Sequence, residues 1–368
     1  MSNLLKDIMN NEYIQKLAND IKAVYSEFEA DKFATSIMDE TWDSLELKAR
    51  WRHITLNLGK FLPSDYEQAI GIINQAITSQ VYGSWAGSDG FCMFYPDFIE
   101  IYGQSEEHWD ISMAALALYT PYATSEFAVR PFIINHEERM MEQMYTWAKS
   151  ENEHLRRLAS EGCRPALPWA QALPKFKQDP APILPILEQL KADPSAYVRK
   201  SVANNLNDIS KTHPDLVAKI AKEWYGKTED TDWIVKHACR TLLKKGNRDV
   251  LAIFGFNDAD AVTSSGFAID AQPVAIGGAI NFSFFIAAKE TTKVRLEYAI
   301  DFVKANDKLS RKIFQISEST LKAVENKAYT KNHSFADLST RKHYPGTHSV
   351  TLIVNGIEQG TLEFELTK

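Results

Sequence analysis

Apolar residues return every three or four positions through most of the chain, then give way near residue 255 to short alternating or continuous apolar runs. Tyr13, Ile14, Leu17, Ile21, Val24 and Phe28 keep helical spacing, as do Leu45, Leu47, Trp51, Ile54 and Leu58. Pro63-Ser64-Asp65 predicts the start of a helix over Tyr66–Thr78, with Ser64 or Asp65 as its cap. The glycine- and aromatic-rich stretch Tyr82–Phe91 interrupts the pattern. It reads as an inter-repeat loop in which Trp85 and Phe91 pack rather than touch nucleic acid. A small-residue helix covers His108–Tyr119, and Met140–Lys149 is helical again. Between them Thr124 or Ser125 is placed to cap a helix, which puts Glu126 in a first turn that favours a carboxylate.

The helices repeat. Superposing Leu155 on Val198 sets Arg156 on Arg199, Arg157 on Lys200, Glu161 on Asn204 and Cys163 on Leu206. Ile234 in Trp233–Leu242 takes the same place 36 residues after Val198, which itself follows Leu155 by 43, and Ile111 lies 44 before Leu155. Such periods mark paired-helix repeats of the HEAT type, each burying its apolar stripe against its neighbours to form a solenoid with one concave surface.

From Val262 the texture is that of strands. Val262–Ile269, Ala279–Ala287, Lys293–Val303, Lys312–Ser317, Ser349–Val354 and Ile357–Leu366 read as β, the last two joined by an Asn355-Gly356 hairpin turn. About seven short strands in roughly 110 residues without cysteine suggest an immunoglobulin-like β-sandwich lacking the usual disulfide. The expected domains are residues 1–256 and 261–368, with Asn257–Asp260 between them. Lys304–Arg311 and Lys322–Lys342 read as basic loops, with His333, His343 and His348 as surface residues.

Composition narrows the class. The 368 residues carry 45% apolar and 24% charged side chains, ordinary for a globular protein. No run approaches the ~20 apolar residues that span a membrane, and the first ten residues lack the layout of a secretory signal. Three separated cysteines support neither a disulfide framework nor a zinc site, so a reduced cytoplasm is expected, with no metal and no cofactor. The net charge is −7, yet residues 150–248 hold 17 Lys and Arg against 12 Asp and Glu. That segment could hold phosphates, since screening confines fields to about 8–10 Å. On charge alone, solvated helix faces are the simpler account.

The polar faces carry more information. In the second copy Val198, Val202, Leu206 and Ile209 form the apolar stripe, while Ser201, Asn204, Asn205 and Asp208 form a polar one. Asparagine and aspartate are mediocre helix formers, and breaking a local rule without structural gain points to function. Arg157 and Glu161 lie one turn apart in the first copy, so Glu161 should neighbour Asn204, with Asp208 a turn further on. Pro165-Ala-Leu-Pro-Trp169 delivers an indole from a rigid loop. Each residue has a plain structural account too. Glu161 could pair with Arg157, Asp208 with Lys211, Glu126 could be an ordinary first-turn carboxylate, and Trp169 could be core. Their coincidence on one face favours a site.

Three passages, Thr124–Ile133, Leu158–Trp169 and Val198–Asp208, resemble the signature passages of the AlkC branch of HEAT-like-repeat alkylpurine DNA glycosylases. The resemblance covers roughly residues 1–255, and some members of that branch add an immunoglobulin-like domain. It implies excision of 3-methyladenine, and of 3-methylcytosine, from double-stranded DNA, by a monomer associated with the nucleoid when bound. It also implies Glu126, Glu161 and Asp208 as active-site carboxylates, Phe127 and Trp169 as aromatic neighbours of the lesion, and Arg157 as a backbone contact. Arg130, Arg164, Asn204 and Asn205 join these as expected substrate or DNA contacts. A cationic base leaves readily, and carboxylates steady the oxocarbenium-like sugar and position water. The competing classes are a repeat that binds DNA without chemistry and a protein-interaction scaffold. The β domain is expected either to grip DNA through its basic loops or to act as a stabilising appendage.

Overall fold

A computed structural model describes residues 4–79, 92–256, 260–270, 272–337 and 341–368. The Tyr82–Phe91 loop, with Trp85 and Phe91, lies outside the described residues, as do residues 257–259 of the expected boundary segment. The chain forms helical repeats followed by a β-sandwich, and it divides into two compact units, Met1–Thr212 and His213–Lys368. The second unit thus begins ahead of the change from helix to strand, which falls between Ile253 and Val262.

In the first unit, helices pair through their apolar stripes. Asn11–Val24 packs on Ala30–Ile37, and Leu47–Phe61 on Phe94–Tyr102, burying Ile14, Leu17, Phe33, Ile54 and Leu58. Each such side chain taken from water contributes about 1.5–3 kcal/mol. One of the two expected caps, Asp65, is used, and Asn152 adds a cap that the sequence reading did not name. Asp65 Oδ1 accepts from Gln68 N at 2.8 Å, and Asn152 Oδ1 accepts from His154 N at 2.9 Å. Glu153–Gly162 is central, packed by Glu137–Trp147 on one side and by Ala196–Ile209 on the other.

The repeat alignment has a structural counterpart. Arg156 donates to the carbonyls of Ser150 and Glu151 at 3.0 and 2.7 Å. Its counterpart Arg199 donates to those of Asp193 and Pro194 at 2.7 and 2.9 Å. In both copies the first basic residue therefore ties down the chain that leads into its own helix. The following position, Arg157 in the first copy, is left to face elsewhere.

The second unit carries the sandwich. Its strands are β1 (Val262–Ile269), β2 (Val274–Ala275), β3 (Ala279–Ala288), β4 (Thr292–Val303), β5 (Leu309–Leu321), β6 (Asn326–Ser334), β7 (Gly346–Val354) and β8 (Ile357–Thr367). One sheet has the order β1-β3-β6 and the other β2-β8-β7-β4-β5. Phe282, Phe284 and Ile286 of the first sheet interleave with Tyr298, Ile300, Val350 and Leu352 of the second. Two expectations are corrected here. The Lys322–Lys342 segment contains the edge strand β6, whose lysines hid its alternation, and the Lys304–Arg311 loop gives its end to β5. His333, His343 and His348 are buried rather than on the surface, because they pack among Phe302, Phe335 and Phe364.

Candidate active site

A cleft of about 530 Å³ opens in the first unit where three chain segments meet. Its walls include Trp51, Glu126, Phe127, Arg157, Glu161, Arg164, Trp169 and Tyr197. Glu126 comes from the turn before helix Val129–Asn135, not from a first helical turn as its spacing suggested. Ser125 is turned inward to the Leu116 carbonyl at 2.9 Å, so it cannot cap, and no side chain caps that helix. Glu126 is instead held by Arg157 Nη1 at 2.6 Å and by the Thr124 hydroxyl at 2.9 Å, both on Oε2.

The charged side chains form an alternating row. Arg157 pairs with Glu126 and stands 3.8 Å from Glu161; Arg164 Nη1 meets Glu161 Oε1 at 2.6 Å, and Arg164 Nε meets Asp208 Oδ2 at 2.8 Å. Lys211 closes the row on Asp208 Oδ1 at 2.7 Å. Glu126, Glu161 and Asp208 are only 8%, 6% and 4% exposed. Burial works against the guanidinium charges of Arg157 and Arg164. The adjacent carboxylates more than offset it and hold both above their ordinary values. Three acids are thus brought together, each paired with at least one of three cations, the arrangement that buried ions require.

The polar stripe of Ala196–Ile209 turns toward Glu153–Gly162. Ser201 Oγ donates to Glu161 Oε2 at 2.6 Å, and Asn205 Nδ2 donates to the Ser160 carbonyl at 2.7 Å. The neighbour of Glu161 is therefore Ser201, one turn earlier than the expected Asn204, which is half-buried and outside the cleft wall. Asn205 and Arg130, expected as DNA contacts, are buried behind the wall. Arg130 donates to the carbonyls of Gly162, Arg164 and Gln171 at 2.9, 3.0 and 2.5 Å, so it staples both ends of the loop that carries Trp169. Burial lowers its guanidinium to about 10, still charged at neutral pH.

Trp169 itself is 66% exposed and has φ +64. A bulky residue in the left-handed region costs on the order of 1–3 kcal/mol and persists only where its surroundings enforce it. Phe127 and Trp51 line this cleft and a smaller adjoining cavity of about 260 Å³. Sequence reasoning missed Tyr197, whose ring lies 5.0 Å from the Arg157 guanidinium and 5.8 Å from the His154 ring. The signal was present, since both rings stand one residue before the aligned Leu155 and Val198. Burial raises the Tyr197 phenol further from ionisation. Among the described residues, no group of three or more His, Cys, Asp or Glu could hold a metal ion, and no helix is long and apolar enough to cross a membrane.

Comparison with known proteins bears on this geometry. A family model described as a DNA alkylation repair enzyme matches residues 123–242, which span Glu126, Glu161 and Asp208. A second, described as the C-terminal Ig-like domain of the uncharacterised protein YhaZ, matches residues 263–368. The uncharacterised protein YhaZ of Bacillus subtilis (strain 168) is 46% identical over 362 residues, covering 98% of this chain and 99% of that protein. Among solved structures, the alkylpurine DNA glycosylase AlkC of Pseudomonas fluorescens, bound to DNA containing an abasic site analog, superposes with a TM-score of 0.93 at 35% identity over 100% of both chains. With helical repeats, an Ig-like domain and relatives matched along its whole length, the chain belongs to the AlkC-like DNA alkylation repair enzyme family.

Proposed function

We propose that this protein is a monofunctional DNA glycosylase that removes cationic N3-methylated bases, 3-methyladenine and 3-methylcytosine, from double-stranded DNA by hydrolysing the N-glycosidic bond. The observation that carries the reading is the convergence of Glu126 and Glu161 on one cleft, with Asp208 behind them through Arg164. Methylation at N3 gives the base a positive charge, so it departs without a strong general acid. The deoxyribose left behind turns cationic, and fixed carboxylates steady that charge where it develops. One of them orients the attacking water. Phe127 and Trp169 offer electron-rich faces to the cationic nucleotide. Arg157 and Arg164 pair with the acids and meet the DNA backbone together with Asn204, while Arg130 and Asn205 hold the walls from behind.

Residues 1–256 carry this chemistry in the proposed division, and residues 261–368 form the Ig-like domain. The protein works as a monomer in the cytoplasm, on the nucleoid, with no cofactor. To test this, duplex DNA methylated by an SN2 agent is incubated with the full chain, and the soluble fraction is separated by chromatography. Free 3-methyladenine, together with alkali-labile but uncut strands, is the expected result. DNA binding without release of any base would leave a non-catalytic repeat protein instead.

A further inference from the structure

The loop that carries Trp169 is tied at its base and at its tip by different side chains. Arg130 holds its two ends through the carbonyls of Gly162, Arg164 and Gln171. At the tip, Lys48 of helix Leu47–Phe61 donates from Nζ to the Trp169 carbonyl at 2.6 Å, bridging 121 residues of chain. The same ammonium lies 5.2 Å from the centre of the Phe127 ring. Trp169 is mostly exposed, so packing of its own indole does not hold it, yet it keeps φ +64. An unfavourable backbone conformation on an exposed loop requires an outside restraint. Among the described residues the tip has Lys48 and, within the loop, a long Ala170 N–H bond to the Leu167 carbonyl at 3.3 Å.

We propose that Lys48 is a positioning residue of the cleft. It fixes the backbone of Trp169 so that the indole forms part of the same wall as Phe127, ready for the lesion nucleotide. Lys48 lines the smaller cavity that adjoins the cleft, and a lysine so near a DNA-binding cleft would ordinarily be assigned to phosphate. Two features point elsewhere: its ammonium is committed to a main-chain carbonyl, and it sits over the ring of the neighbouring wall residue. The inference rests on the glycosylase reading for its kinetic readout, but not for its spectroscopic one.

The test compares Lys48→Met, Lys48→Arg, Trp169→Ala and the Lys48→Met/Trp169→Ala double variant, each checked by thermal unfolding. Single-turnover base release is measured with each. Trp169 emission is isolated by subtracting the spectrum of the matching Trp169→Phe chain. Lys48→Met is expected to slow release by about tenfold, the scale of losing one charged hydrogen bond. It should also make Trp169 more accessible to acrylamide. Lys48→Arg should restore both. In the Trp169→Ala background Lys48→Met should add nothing, the mark of coupled residues. Additive losses, an unchanged Trp169 signal, or a salt dependence of binding shallower by about one ion would overturn the proposal and make Lys48 a phosphate contact. A wild-type chain that released no base would defeat the glycosylase reading, while the emission data would still decide the role of Lys48.

Discussion

Arg164 donates its Nε–H to Asp208 Oδ2 at 2.8 Å, joining side chains 44 residues apart on adjacent repeats. With its Nη1 on Glu161, this one guanidinium separates two carboxylates that would otherwise face each other in a buried site. Asp208 therefore reaches the cleft through Arg164, whereas Glu126 and Glu161 line it directly. Removing the cation should expose that dependence. Arg164→Met is expected to lower unfolding free energy by about 3–5 kcal/mol, the scale of stranding a buried charge. Adding Asp208→Asn should return part of the loss, as measured by denaturant titration. Additive destabilisation would mean the two residues do not share this interaction.

Close packing behind the site leads to a second expectation. A Cβ on Gly162 would stand 2.7 Å from Val129 Cγ2 and 2.9 Å from Met144 Cε. Glycine there lets the Glu161 helix approach the segment that delivers Glu126. Gly162→Ala should cost about 1–3 kcal/mol through overpacking. Val129→Ala in the same chain should recover much of it. A stable Gly162→Ala variant would show that the helices have slack the packing does not suggest.

The β domain should be acid-sensitive. Burial, followed by the charges of Arg341, His343 and Lys331, lowers His333 to about 4; burial also lowers His343, where Arg341 adds to it, and His348. The native sandwich keeps these rings neutral, whereas unfolded imidazoles bind protons from about pH 6.5 downward. Stability is then fully present above that value and is lost as pH falls toward 4. His333 alone accounts for roughly 2 kcal/mol between pH 7 and pH 5. Hydrogen exchange of the β3 and β6 amides at the two pH values measures this directly. Equal protection at both would contradict the burial of the histidines.

How far the fold was legible follows from which features are local. Leu155, Val198 and Ile234 revealed the repeat because an apolar stripe must recur wherever one helix packs on the next. The matched behaviour of Arg156 and Arg199 is the structural side of that recurrence. Glu161 could be set beside the second copy because the repeat fixes phase, whereas Glu126, which lies on a turn, was joined to it only by the family resemblance. The Arg164 bridge could not be placed, since it depends on how the chain leaves Gly162 for the Trp169 loop. Asn205 was misread because a polar residue inside a helix–helix seam looks the same in sequence as one facing a ligand. Strand β6 was hidden for a related reason. At this sheet edge Lys327 and Lys331 share the inward face with Tyr329 and His333, so the apolar alternation is broken.

The central claim, that Glu126 and Glu161 support glycosidic bond cleavage, is tested most directly by single-turnover release of 3-methyladenine from a methylated duplex, with duplex affinity measured alongside. Glu161→Gln should reduce the rate by about 10²–10³, the scale of losing one preorganised electrostatic group, with affinity changed only a few-fold. Release by Glu161→Gln at the wild-type rate would contradict the account.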